Sequence, residues 1–214
     1  LVNREFLIAG GTLIGAEKAI RCGIAMNIAG GTHHAYPNRG EAFCLLNDQA
    51  IAAQHLLDTN QAKKILILDL DVHQGNGTAV IFRSNPKVFT CSIHGAKNYP
   101  FRKEVSDLDL PMEDNCSDSD YLKQIQSILP KLYEQVKPDF IFYLCGVDIL
   151  KTDKLGRFDI TIIGCKQRDE LVLSFCKEKG IPVQCSMGGG YSKELKIIIE
   201  AHANTYRVAN ALFT

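Results

Sequence analysis

Two short, near-continuous apolar runs constrain this chain more than any other feature. Lys64–Leu70 and Asp139–Cys145 string together Ile, Leu, Phe and Tyr without polar alternation. That is the pattern of strands buried on both faces, not of a half-solvated antiparallel ribbon. Such strands need helices above and below them, and helix-period segments lie between the runs. Ile24–Ala29, Lys87–Ile93 and Ile181–Ser186 read as further strands. Asn47–Leu57 reads as a helix with Ala50, Ala53 and Leu57 on one stripe. Ser117–Val136 reads as a longer one, capped by Asp118 or Ser119, with Tyr121, Ile125, Ile128 and Leu132 on its apolar face. Gly164–Lys179, closed by Gly180, and Ser192–Phe213 complete the series. The expected fold class is therefore α/β, a parallel sheet flanked by helices on both faces. No repeat, low-complexity stretch or linker interrupts the 214 residues, so residues 1–214 read as a single domain.

Composition excludes several functions. With 46% hydrophobic and 22% charged residues the chain is ordinary for a globular protein, which rules out wholesale disorder. Lys and Arg (24) balance Asp and Glu (24) with no basic tract, so neither direct nucleic-acid binding nor attachment to an anionic membrane is expected. The longest apolar runs fall far short of the ~18 residues of a membrane span. Eight cysteines contain no C-x-x-C pair and several sit inside apolar runs. They read as reduced thiols packed as small hydrophobes, the usage of an intracellular protein, cytoplasmic or, in a eukaryote, nuclear.

The polar residues that carry chemistry gather at one place in this layout. His33-His34, Asp71 with His73, Asp148, and Tyr191 each follow the C-terminal end of an expected strand. In open α/β sheets that edge is where ligands bind. Asp71 and His73, alternate residues of an extended segment, can offer an oxygen and a nitrogen to one point, and Asp148 can add a second carboxylate. Three mixed ligands leave a metal position open for water or substrate. Read singly, each Asp could instead cap a turn. The adjacent histidines can serve as general base and acid and as a charged partner beside a metal-activated water. Gly188-Gly189-Gly190 allows close approach of backbone to a ligand, and Tyr191 offers a phenol to an oxyanion. His55, His94 and His202 lack such context and read as surface or core residues.

These motifs resemble one family in order and spacing. Gly30-Gly31-Thr32-His33-His34, Ala42-Phe43-Cys44-Leu45-Leu46-Asn47-Asp48, Asp69–Thr78, Tyr99-Pro100, Gly146-Val147-Asp148 and Gly188–Tyr191 look like the histone deacetylase family. The Asp71–Gly77 signature, Asp148-Ile149-Leu150 and Arg168-Asp169-Glu170-Leu171 look closest to class IV deacetylases and their bacterial relatives. The resemblance implies the arginase/deacetylase fold and a zinc-dependent amidohydrolase acting on acylated lysine or acylated amines. It implies one zinc, or ferrous iron, on Asp71, His73 and Asp148. His34 would be general base and acid, with His33 its electrostatic partner. Asp69 would orient His33, and Asn76 would hold His34 where other classes carry Asp, leaving His34 less basic. Phe43 and Tyr99 would wall the acyl-lysine tunnel with Gly189, and Asp69 and Ser92 would be ligands of a structural potassium ion. Ala42 replaces the glycine usual before the tunnel Phe, which is expected to narrow the tunnel or shift a carbonyl. The family's first strand and upstream rim loops are expected to lie outside these residues.

Two rival readings remain at this point. A binuclear manganese ureohydrolase on the same fold would need D-x-H-x-D, but Gly75 stands at the last position. A catalytically silent acyl-lysine binder would keep the tunnel without the chemistry.

Overall fold

A computed structural model describes residues 1–214. The elements run α1 (Val2–Cys22), β1 (Ile24–Asn27), α2 (Asp48–Asp58), β2 (Ile65–Asp69), α3 (Asn76–Phe82), β3 (Val88–Gly95), β4 (Leu108–Met112), α4 (Asp118–Val136), β5 (Phe140–Leu144), α5 (Ile162–Lys179), β6 (Val183–Ser186) and α6 (Leu195–Phe213). The six strands form one sheet in the order β1-β6-β5-β2-β3-β4, with every pairing parallel. This is the α/β architecture that the apolar runs require.

The two central runs show why. Within β2, Leu66 and Leu68 enter a core built with α4, α5 and α6, while Ile65 and Ile67 enter a second core built with α1, α2 and α3. β5 divides likewise, Ile141 and Tyr143 to one side and Phe140 and Phe142 to the other. Each large side chain buried in this way contributes about 1.5–3 kcal/mol, so the apolar runs carry both cores at once.

Helix ends follow local chemistry. Asn47 caps α2 by accepting from the Ala50 N–H at 3.0 Å. Ser117, rather than Asp118 or Ser119, caps α4: its hydroxyl oxygen accepts from the Asp120 N–H and its hydroxyl donates to the Asp120 carboxylate at 2.8 Å. Asp118 is occupied elsewhere, accepting from the N–H and hydroxyl of Thr161. Thr161 in turn caps α5, which therefore starts two residues before Gly164. Gly180 closes α5 in the left-handed conformation. Leu129 joins Tyr121, Ile125 and Leu132 on the buried face of α4, while Ile128 is only partly buried.

Three elements have no counterpart in the sequence reading: α1, α3 and β4. α1 contains Gly10, Gly11 and Gly15, which depress helix propensity. Gly11 also lets it lie close to the sheet, since a Cβ there would sit 3.1 Å from the Asn27 amide. β4 is an edge strand carrying Pro111, the position in a sheet where proline is tolerated.

The topology fixes the position of the polar clusters. β1, β6, β5 and β2 are consecutive neighbours in a parallel sheet. The segments that follow them, bearing His33-His34, Tyr191, Asp148, and Asp71 with His73, thus leave the same edge side by side. No helix is long and apolar enough to cross a membrane.

Candidate active site

Beyond the end of β2 the chain bends through Asp71, Val72 and His73 rather than continuing extended as the sequence suggested. It bends because Asp69 and Asp71 each accept from the N–H two residues on, while Leu70 and Val72 still enter the core. Asp71 and His73 are thereby turned to the opposite side. Backbone donors hold the carboxylates still. Asp71 accepts from the His73 N–H at 3.0 Å and the Gly189 N–H at 2.9 Å, and Asp148 accepts from the Val72 N–H at 3.1 Å. The turn-capping role is real for Asp71, which accepts from the N–H two residues on, whereas Asp148 accepts across the site from Val72 and caps no turn of its own. His73 Nδ1 lies 3.1 Å from Asp71 Oδ1 and 3.0 Å from Asp148 Oδ2. One ligand atom from each of the three residues falls within 4.8 Å of the others, and all three residues are buried.

Electrostatics marks the same point. Burial and the adjacent Asp71 raise Asp148 to about 7. Burial also opposes ionisation of Asp71, but His33 and His73 overcome it and hold that carboxyl well below its ordinary value. Burial lowers His73, yet Asp148 and Asp71 outweigh it and raise the imidazole to about 10. Two buried carboxylates sharing one imidazole form a donor set that a divalent cation would neutralise. The surrounding backbone is glycine where it must be: a Cβ on Gly189 would lie 2.2 Å from Asp148 Oδ2, and one on Gly146 would lie 2.3 Å from Asp71 Oδ2.

The histidine pair stands beside this cradle, its rings 4.1 Å apart. His33 Nδ1 is 2.7 Å from Asp69 Oδ2, and His34 Nδ1 is 2.7 Å from Asn76 Oδ1. The two partners have opposite effects. Burial lowers His33, but the charges of Asp69 and Asp71 raise it to about 9. Burial and the neighbouring His33 lower His34 to about 3, against a weaker pull from Asn76. One imidazole is therefore charged at neutral pH and the other is free to accept a proton. Asp48, at the start of α2, holds their loop in place by accepting from Gly31 N–H, Thr32 N–H and the Thr32 hydroxyl at 2.7–3.0 Å.

Tyr191 is anchored by its own N–H donating to Asp153 at 2.6 Å. Its ring lies 5.7 Å from that of Phe43. Burial, then Asp71 and Asp148, push its phenol above the ordinary value, so it remains a donor. His34, Phe43, His73 and Tyr191 border two adjoining cavities. The first, about 320 Å³, is apolar and includes Tyr99, Phe101 and Leu155. The second, about 360 Å³, has more polar side chains in its wall and includes Asp71, Asp148 and Gly189. Gly189 thus borders the metal cradle rather than the aromatic mouth, where Phe43 is 70% exposed.

The remaining candidates lie close by or apart. Asp69 and Ser92 face each other across the β2–β3 register, and Ser92 Oγ is 3.0 Å from Nδ1 of buried His94. His202 is also buried, and His55 pairs with Glu17. Ala42 has a left-handed φ of 51°. Glu41 and Cys44 exchange backbone hydrogen bonds at 2.9 Å, making Ala42 the first residue of a two-residue hairpin loop where glycine is favoured. A glycine there would avoid about 1–2 kcal/mol of strain. Sequence reasoning missed Glu41 and Asp48. Asp48 sat inside a quoted motif, but nothing in the spacing revealed its partners.

Comparison with known proteins agrees with this geometry. Residues 1–206 match the family model described as "Histone deacetylase domain". An uncharacterized protein of Picosynechococcus sp. is 45% identical over 213 residues, covering all of this chain and 71% of that protein. Histone deacetylase 2 of Arabidopsis thaliana is 31% identical over 92% of this chain and 52% of its own length. Histone deacetylase RPD3 of Saccharomyces cerevisiae is 32% identical over 86% and 44%. This chain spans about half the length of the plant and yeast relatives.

Proposed function

Because the chain belongs to the histone deacetylase domain family, we propose that it is a zinc-dependent amidohydrolase that removes an acyl group from acylated lysine or an acylated amine. The observation that carries this reading is the buried Asp71–His73–Asp148 cradle set against a histidine pair held by unlike partners, His33 by the Asp69 carboxylate and His34 by the Asn76 amide. Asp71, His73 and Asp148 would hold one zinc ion, which when bound acidifies water and polarises an amide carbonyl. The class IV affinity suggested by Asp71–Gly77 and Arg168–Leu171 belongs to the same proposal, as does a potassium ion near Asp69 and Ser92.

The protein's own groups supply the proton transfers. His34 takes the proton of the attacking water, since it is neutral at pH 7. His33, held charged by Asp69, favours the negative charge that develops beside it. The Tyr191 hydroxyl donates to the oxyanion formed from the substrate carbonyl. The proton taken by His34 then passes to the leaving nitrogen, which departs as an amine rather than as an amide anion. Phe43 and Tyr99, with Phe101 nearby, offer apolar walls against which an aliphatic stem would pack.

A two-metal ureohydrolase is disfavoured on steric grounds as well. A Cβ at Gly75 would meet Asp69 Oδ2 at 2.3 Å, leaving no room there for a further carboxylate. The reading is tested with a panel of lysine peptides carrying acyl groups of increasing length, together with acetylated polyamines. Hydrolysis of at least one member is expected. Binding of acyl-lysine peptides without any turnover would replace this reading with the silent binder.

A further inference from the structure

Glu41 lies in the hairpin that carries Ala42 and Phe43, and the reaction described above leaves it unused. Its Oε1 accepts from Asn76 Nδ2 at 2.7 Å and from the Tyr99 hydroxyl at 2.7 Å, while Arg39 donates to Oε2 at 3.1 Å. Asn76 Nδ2 also donates to the Tyr36 hydroxyl oxygen at 3.1 Å, and Tyr36 donates onward to Glu104 at 3.3 Å. On its other side Asn76 presents Oδ1 to His34 Nδ1. Burial works against ionisation of Glu41, but Tyr99, Asn76 and Arg39 more than offset it and hold the carboxyl below its ordinary value.

We propose that Glu41 is a positioning residue that sets the tautomer of His34 through Asn76. An ionised carboxylate can only accept, so whichever end of the Asn76 amide faces Glu41 must be its NH2. That leaves only the carbonyl oxygen for His34, and an oxygen can only accept, so the hydrogen of neutral His34 must sit on Nδ1. Nε2 is then left with its lone pair, the condition for taking a proton. Tyr36 favours the same direction only while its one proton is given to Glu104 at 3.3 Å. The hydroxyl can exchange that long contact for donation to the Asn76 oxygen, so Glu41 is the fixed acceptor of the two. Without Glu41 the amide is free to turn over and donate to Nδ1, which would place the hydrogen on Nε2. A relay ending in a neutral Asn at the histidine thus still has a carboxylate, one residue further out.

The inference rests on the amidohydrolase reading for its kinetic consequence but not for its tautomer. Two variants of the metal-loaded chain test it, Glu41→Leu and Glu41→Gln. The glutamine can still turn an amide oxygen toward Asn76 and Tyr99. In Glu41→Leu, kcat is expected to fall about 10–100-fold, and Glu41→Gln is expected to restore most of it. Long-range proton–nitrogen NMR of the imidazoles should show His34 protonated on Nδ1 in wild type and in Glu41→Gln. In Glu41→Leu the signal should shift toward Nε2. An unchanged tautomer in Glu41→Leu overturns the proposal, whatever happens to kcat. A wild-type protein that hydrolyses no acyl substrate overturns the functional reading instead, while the tautomer comparison still decides the role of Glu41.

Discussion

The Tyr191 phenol is kept protonated by burial and by the carboxylates of Asp71 and Asp148, so it keeps a hydrogen to donate. Tyr191→Phe removes that donor with almost no change in packing volume. A ground-state carbonyl needs the hydrogen bond less than the oxyanion does. KM should therefore barely move, while kcat falls by about 10²–10³-fold. Steady-state kinetics on any turned-over acyl peptide checks this, and a full kcat in the variant would mean that the hydroxyl points away from the reacting carbonyl. The residue scale is also where the sequence spoke most clearly. His33-His34, Asp71, His73, Asp148 and Tyr191 could be singled out because strand ends announce themselves in apolar patterning. Glu41 could not, because its importance lies in contacts to Asn76 and Tyr99, which are 35 and 58 residues away. No local pattern encodes such distances.

Among the elements, α5 does more than cover the sheet. Arg168, fully buried, donates to the carbonyls of Gly146 at 2.6 Å and Cys145 at 3.2 Å, just past the end of β5. It pairs with Asp169, which accepts from the Tyr143 hydroxyl at 2.6 Å and the Thr205 hydroxyl at 2.7 Å. One ion pair thus joins α5, β5 and α6 and supports the turn that presents Asp148. Arg168→Leu strands a buried carboxylate and should cost about 3–5 kcal/mol in urea unfolding. Arg168→Leu combined with Asp169→Leu should recover part of that loss, since no charge is left uncompensated. A single variant as stable as wild type would contradict this role. The strands and amphipathic helices were legible because their periodicity is set by burial. α1 was not, since its glycines look like loop residues until the close approach to Asn27 is seen. β4 was masked by Pro111, and α3 by the glycines that precede and enter it.

At the scale of the whole molecule, four neighbouring parallel strands deliver their following segments to one edge, and the site exists because of that order. β1 supplies the histidine loop, β6 the tyrosine, β5 one carboxylate, and β2 the other carboxylate with its histidine. Two buried carboxylates and one imidazole in mutual contact make a single cradle, and Gly75 leaves no space for a second set of ligands beside it. The central claim is that one metal ion in this cradle makes the chain an acyl-amide hydrolase. The most direct measurement removes metal with a chelator and titrates zinc back while following hydrolysis of an acyl-lysine peptide. Activity should rise linearly and reach its plateau near one equivalent per chain, and Asp148→Ala should show no such rise. A plateau that required two equivalents, or hydrolysis that persisted in the metal-free protein, would contradict the account.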